Sequence, residues 1–357
     1  MKILLVTLHS QNNNFGSVLQ AYSLTQFLNE NGYDVEILDY RPYYSNGGLN
    51  LLSMLKKICT NVVFFPFFIR RKRNFDSVVN LQKMTKRYTS IKEINRDVLS
   101  YDLYMIGSDQ VWNTKYLCGK DPVYYLDFTD SEKKMSYAAS LGSYIEKESI
   151  LMDLKRRIKH FKYVSFREKV SAIQMKQVGV ENAEYVLDPV FLHSVDYYRK
   201  MQKTPKRKGY IFTYIIHKDN LIRQVINHVK ELTGKDVVEL GGFQSKCDSD
   251  YYPRTAGPKE FLGYMDNADI VITSSFHGLA FAHIYNKQFI VVMPNDNQLR
   301  LENILETAGT EDRVVKSVED VDKLLKNPIN YTGVNERIKK MRNSSVHYLL
   351  NSLDRLQ

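Results

Sequence analysis

The sequence predicts an α/β protein of two Rossmann-like units, each a parallel sheet wound with helices. Three observations carry this. Short apolar runs end in small or polar residues and feed helix-like stretches, at 2–8 and again at 268–281. That is the order of a buried parallel strand followed by its crossover helix. The chain has 357 residues, enough for two domains of ordinary size. A polar, basic stretch at 193–208 (HSVDYYRKMQKTPKRK) separates the two series. The expected domains are therefore 1–200 and 205–330, with a last helix at 334–357 of the kind that crosses back to brace a first domain.

Apolar residues make up 43% and charged residues 25%, which excludes a disordered chain. Lysine and arginine number 50 against 40 acids, a net charge of +10. That excess favours an anionic partner, whether a phosphorylated metabolite, a nucleotide or an acidic membrane surface, although surface charge for solubility alone would look the same. No zinc-finger spacing and no RNP-like aromatic motif is present, so nucleic acid is not an expected partner. Cys59, Cys118 and Cys247 are scattered and lack C-x-x-C spacing. No disulfide framework or cysteine metal site is expected, and a reducing cytoplasm fits. Met1-Lys2 runs straight into the strand ILLVTL, so no signal peptide is read, and no run of 18 apolar residues would span a membrane.

Residues 2–8 read as a buried strand, followed by the polar loop 9–16. Ser17 is placed to cap a helix carrying Val18, Leu19, Tyr22, Leu24, Phe27 and Leu28, and Asn31-Gly32 ends it before a strand at 35–38. The loop lacks G-x-G-x-x-G, so no dinucleotide fingerprint is present. Asn14 and Gly16 can still line a pocket for a polar ligand, and Gln20 in the following helix joins the same candidate set. Residues 49–73 are apolar, interrupted by Lys56-Lys57 and closed by Arg70-Arg71-Lys72-Arg73. Such a segment suits peripheral contact with an anionic membrane, or a buried helical hairpin with a solvated basic end. The strand 102–106 ends at Gly107-Ser108-Asp109-Gln110, with Trp112 just beyond. Ser108, Asp109 and Gln110 sit where an open sheet places a ligand, and Trp112 can stack on a sugar face or serve as core. After the strand 163–166, Arg167 is placed to fork onto a carboxylate or phosphate, or to pair with Glu168 at the surface.

In the second series, 210–216 and 237–240 read as strands, with helices at 221–232 and 258–265. The stretch 268–281 is the centre of the chain: Ile270-Val271-Ile272, then Thr273-Ser274-Ser275, then Phe276-His277-Gly278 opening a helix. A helix N-terminus offers unpaired N–H groups and a positive dipole end, which suits an anion. His277 stands at that mouth, where it meets a substrate or caps the helix. Ser274, Ser275 and Gly278 belong to the same candidate site, and Arg300 and Arg313, further on, are candidate substrate-binding cations.

The segments NFGSVLQAYSL (14–24), IGSDQVWN (106–113), YAASLG (137–142), VSFREK (164–169), VLDPVFL (186–192) and ITSSFHGLAFAHIYNKQFIV (272–291) together resemble the polysaccharide pyruvyl transferase family. The resemblance covers most of the chain. It implies a GT-B-like fold, with two Rossmann-like domains facing across a cleft. It also implies transfer of the enolpyruvyl group of phosphoenolpyruvate to two hydroxyls of a sugar, giving a pyruvate ketal and phosphate. The acceptor would be a surface polysaccharide or its lipid-linked precursor. No cofactor or metal is implied, phosphoenolpyruvate being the donor substrate. Arg167 matches the family's arginine in S-x-R-E, and His277 is the acid/base or phosphate-stabilising candidate. Some members carry an arginine directly before the histidine, where this chain has Phe276. Two other readings stand beside this one. One is a GT-B glycosyltransferase using a nucleotide sugar, with Glu260 or Glu302 on the ribose. The other is a non-catalytic glycan-binding relative.

Overall fold

The computed structural model describes residues 1–9, 14–46, 51–97, 99–216, 218–242, 245–295 and 298–357, without the side chains of 45–46 and 51–64. The chain forms two units. The first holds Met1–Phe64, Val78–Leu192 and Met341–Gln357, and the second holds Phe65–Ser77 and His193–Lys340.

In chain order the elements reaching the first unit are β1 (Lys2–Val6), α1 (Phe15–Glu30), β2 (Asp34–Ile37), α2 (Leu51–Val79), α3 (Ile91–Asp97), β3 (Leu103–Ile106), β4 (Lys134–Ser136), α4 (Glu148–Ile158), β5 (Phe161–Phe166), α5 (Lys169–Gln177) and β6 (Ala183–Tyr185). The second unit has α6 (Val195–Met201), β7 (Tyr210–Tyr214), α7 (Asn220–Thr233), β8 (Val237–Leu240), α8 (Pro258–Asp266), β9 (Ala268–Thr273), α9 (Phe276–Ile284), β10 (Gln288–Val292), α10 (Leu299–Ala308), β11 (Val314–Val315) and α11 (Asp320–Lys326). The last helix, α12 (Tyr331–Asp354), begins in the second unit and ends in the first.

Both sheets are parallel, in the orders β2-β1-β3-β4-β5-β6 and β11-β10-β9-β7-β8. Helices cover both faces of such a sheet, so its strands read as nearly continuous apolar runs. LYMI in β3 is buried at every position, and in β9 Asp269 alone is exposed. Helix α7 shows the complementary rule. Ile222, Val225, Ile226 and Val229 recur on one buried stripe, Asp219 caps its start, and Gly234 ends it in the left-handed region at φ 65°.

Each sheet starts from a strand whose two neighbours lie on opposite sides. β1 sits between β2 and β3, and β7 between β8 and β9. Chain direction across the sheet reverses there, which opens a crevice beyond the strands' carboxyl ends. Both stretches singled out in the sequence, 107–110 and 273–278, follow strands that flank such a crevice.

The division falls between Leu192 and His193, ahead of the 200–205 read from composition. His193 stacks on Tyr197 at 3.9 Å and Tyr198 meets Phe281 edge-on at 5.1 Å, which ties α6 to the second unit. The end of α12 belongs to the first unit, where Leu349, Leu353 and Leu356 pack with Ile3, Leu5, Leu24 and Leu28. The expected basic segment 49–73 is part of α2; its positions 49–50, and its side chains up to 64, lie outside the described residues. Its basic end is not wholly solvated. Arg71 is buried and donates to the carbonyls of Gly241 at 2.8 Å and Arg254 at 3.0 Å, while Asn74 donates to Thr255 at 2.7 Å. Among the described residues no helix is long and apolar enough to cross a membrane.

Candidate functional site

In the second unit the turn from β9 to α9 forms one wall of the crevice. Thr273 donates from Oγ1 to the Tyr214 carbonyl at 2.6 Å, joining β9 to β7 at the switch point. The same oxygen accepts from Ser275 N at 3.0 Å. Ser275 caps α9 and accepts from Gly278 N at 3.4 Å, and Ser274 Oγ accepts from Ile216 N at 3.3 Å. A Cβ at Gly278 would lie 2.3 Å from Thr273 Oγ1. The glycine there provides clearance between helix and strand.

A cavity of about 160 Å³ opens at this turn, lined by Lys218, Asp219, Ile222, Ser274, Met293 and Asn295 among others. Of the predicted residues, Ser274 lines it directly. Lys218 and Asn295 were not singled out from the sequence. Lys218 is an isolated lysine in a short loop after β7, and only the switch-point topology marks it. His277 is buried in the first turn of α9, with its ring edge-on to Phe276 at 5.1 Å. Phe276 is itself buried, so the position some relatives give to an arginine is here a packing position. Arg300 lies half-buried in the first turn of α10, which packs on α9. Arg313 is elsewhere. It precedes the edge strand β11, is buried, and donates to Asp312 at 2.7 Å and to the Leu324 carbonyl at 3.4 Å. It braces α11, and its assignment to substrate is corrected.

His283, in the last turn of α9, is fully enclosed. One ring nitrogen meets the Leu279 carbonyl and the other Thr310 Oγ1, each at 3.0 Å. A carbonyl only accepts, so Nδ1 carries the proton and Nε2 accepts from the threonine. Burial pushes the ring's pKa down to about 4 from the usual 6.5. Stability from this site is therefore complete above about pH 6.5 and is lost as pH falls toward 4, by about 3 kcal/mol. Urea unfolding at pH 7 and pH 4.5 measures it. A His283→Gln variant with the same pH slope would sink this attribution.

In the first unit the corresponding crevice is built from the ends of β1 and β3 and the start of α1. Asn14 caps α1, accepting from Gly16 N at 2.9 Å and Ser17 N at 3.3 Å. Ser17 donates to Asp109 Oδ2 at 2.6 Å, and Asp109 holds φ at 74°. A non-glycine residue at positive φ costs energy, and at the end of a sheet strand this is a mark of a functional turn. Gln20 is buried and donates to the Leu8 carbonyl at 2.9 Å and to Thr7 Oγ1 at 3.1 Å. Ser108, also buried, donates to Asp188 Oδ2 at 2.8 Å. Gln20 and Ser108 thus hold the crevice together from behind, which corrects their assignment as ligand contacts. Gly16, too, is buried in the first turn of α1. Asn14 is exposed and Gln110 half-buried, with Gln110 Oε1 accepting from Asn113 at 2.7 Å.

Trp112 is core, not a sugar platform. It is 1% exposed, lies parallel to Tyr125 with ring centroids 6.1 Å apart, contacts Phe161 and Phe166, and donates its indole N–H to the Tyr124 carbonyl at 2.8 Å. Arg167 is neither exposed nor a surface partner of Glu168. It is buried against Asp188 at 2.9 Å, Glu168 at 3.4 Å and Asp109 at 3.9 Å. Burial alone would lower its pKa, but these carboxylates raise it and keep it cationic. A pair absent from the sequence reading is His9 with Asp39, 3.2 Å apart and both buried after β1 and β2. Burial would raise the Asp39 carboxyl, yet hydrogen bonds from His9 and Arg41 hold it far below the usual carboxylate range. No cluster of His, Cys, Asp or Glu suited to a metal ion is found among the described residues. Burial pushes the Cys118 and Cys247 thiols up to about 12, so neither is a ready nucleophile.

Two doubly wound parallel sheets, each with a polar crevice at its switch point, are the units of a GT-B fold. Among solved structures the chain is similar to the UDP-GlcNAc 2-epimerase of Methanocaldococcus jannaschii, at 12% identity and TM-score 0.55 over 97% of this chain and 100% of that one. It is similar to the same enzyme of Neisseria meningitidis bound to UDP-GlcNAc, at 12% identity and TM-score 0.53 over 98% and 100%. An α-glucosyltransferase in complex with UDP and DNA follows at 9% and TM-score 0.50 over 98% and 95%. At these identities the likeness is one of fold. No curated protein matches in sequence. The family model for polysaccharide pyruvyl transferase matches residues 14–297, and the chain belongs to that family. The family is one of transferases.

Proposed function

We propose that this protein transfers the enolpyruvyl group of phosphoenolpyruvate onto two hydroxyls of a sugar in a surface polysaccharide or its lipid-linked precursor. The observation that carries this reading is the family match across 14–297, which takes in both switch-point crevices. Charge supports it: the donor bears a carboxylate and a phosphate, which need cations and amide dipoles. The start of α9 supplies the dipole end and Lys218 a cation beside Ser274, where Phe276 offers none.

In the reaction one hydroxyl adds to C2 of the enol while the methylene carbon takes up a proton. The C2–O bond to phosphate then breaks, and the second hydroxyl adds to C2. Of the two hydroxyl protons, one ends in the new methyl group and one on phosphate. His277 either moves the first of these or holds the departing phosphate, and Arg300 helps to bind the donor. Asn14, Asp109 and Gln110 serve the acceptor.

Thermal unfolding with phosphoenolpyruvate tests the donor. At a hundred times its dissociation constant it should add about 2.7 kcal/mol of stability, and Lys218→Ala should weaken that shift. Phosphate release on adding a glycan, with a mass gain of one pyruvate less one water, tests the transfer. Stabilisation by UDP- or GDP-sugars instead would move the assignment to a glycosyltransferase. Stabilisation by neither would favour a non-catalytic relative.

A further inference from the structure

The second unit carries a basic hollow away from its crevice, at the amino-terminal ends of β7 and β8. It has a volume of about 460 Å³, and its lining includes Arg70, Lys203, Lys206, Arg207, Tyr251 and Tyr264. Glu260 is the one carboxylate in that lining, and it pairs with Lys203 at 3.0 Å. Arg207 lies over the Tyr251 ring at 4.9 Å and reaches Asp236 at 3.0 Å. Arg70 and Lys206 have no carboxylate partner among the described residues. Four cations facing two carboxylates leave an excess of positive charge.

Helix α2 brings an apolar edge to this hollow. Its buried face is Arg71, Phe75 and Val78, at the i, i+4, i+7 spacing that a docked helix requires. On its other sides Phe65 is 58% exposed, Phe67 42% and Ile69 46%. Phe67, Arg70 and Asn74 form one row, and the last two line the hollow. Arg70, Lys72 and Arg73 are exposed around the same apolar residues. Two phenylalanines and an isoleucine, each about half exposed, are ringed by cations. They match the interface of an anionic bilayer, where aromatic rings enter the headgroup region and cations meet lipid phosphate.

We propose that this face of the second unit docks on anionic phospholipid. Phe65, Phe67 and Ile69 enter the headgroup–acyl boundary, and Arg70, Lys206 and their neighbours hold the phosphates. The docking element is 65–73 together with 203–207, and it stands independently of the transfer reaction.

Flotation of the full chain with vesicles tests this. Binding to phosphatidylcholine mixed with phosphatidylglycerol should exceed binding to phosphatidylcholine alone and should fall with salt. Arg70→Glu/Lys206→Glu should lower it by more than about thirtyfold, the effect of merely removing two basic residues from a charged surface. Phe65→Ser/Phe67→Ser should lower it about tenfold or more. All four side chains are exposed, so both variants should melt with the wild type. The phosphoenolpyruvate shift should survive in both, which separates failure here from failure of the donor assignment. Equal binding to both vesicles, or none, would overturn the proposal. So would binding that glycerol phosphate abolishes and the phenylalanine variant keeps, since the hollow would then be a site for a soluble phosphate.

Discussion

Arg167→Met should destabilise the protein by about 3–5 kcal/mol, the usual cost of leaving a buried ion pair without one partner. The arginine faces three carboxylates, and Glu168 and Asp188 are as buried as it is. Each carboxylate has further donors: Ser140 to Glu168 at 2.6 Å, Ser108 and Val190 N to Asp188 at 2.8 and 3.1 Å, and Ser17 and Gln110 N to Asp109 at 2.6 and 2.9 Å. Those neutral donors cannot replace a charge in a medium of low dielectric. Loss of the arginine should therefore loosen the ends of β3 and β5 together and shift the turn at Asp109. Urea unfolding gives the magnitude. Arg167→Lys should recover part of it, since the charge returns without the fork. A variant that unfolds with the wild type yet fails to bind phosphoenolpyruvate would show instead that the guanidinium contacts the donor.

His277→Ala should lower kcat for phosphate release by about 10²–10⁴-fold, the range for one positioned acid or base, with little change in folding. The ring is buried beside Phe276, but the α9 cap rests on Ser275 rather than on the histidine. His277→Gln separates the two roles left open. If the ring holds phosphate, the amide should restore much of the rate by donating one hydrogen bond. If it moves a proton, the glutamine variant should be as slow as the alanine one. A rate within threefold of wild type in both variants would remove His277 from the mechanism.

The strands and the two polar turns were legible because a parallel strand buried on both faces leaves a continuous apolar run. ILLV, LYMI and IVIT each end where polarity returns. What lay behind those turns was not legible. Arg167 meets Asp188 and Asp109 only through folding, so its motif looked like an open fork. Trp112 stands beside Asp109 and Gln110 in the sequence, but its side chain turns to the Tyr124 carbonyl and three aromatic rings. Serine, glutamine and glycine beside a crevice read as ligand contacts, yet Ser108, Gln20 and Gly278 serve hydrogen bonding and close approach. His9 was hidden in a polar loop because its partner Asp39 belongs to another strand end. The joining of 65–77 to the second unit draws on backbone carbonyls that Arg71 and Asn74 reach across the chain, and no local pattern announces them.

The split membership of α12 has a consequence for how the protein is made. The first sheet leaves the ribosome ahead of the second, but its core includes Leu349, Leu353 and Leu356. Everything the second unit needs, 65–77 and 193–340, has by then been translated. The unit begun later is thus the one that can finish earlier. Ile3, Leu5, Leu24 and Leu28 must wait for their last neighbours while 193–340 is synthesised, on the order of ten seconds at ordinary elongation rates. During that interval the nascent amino-terminal half carries an incompletely covered apolar face, and it is the part of the chain most in need of a chaperone.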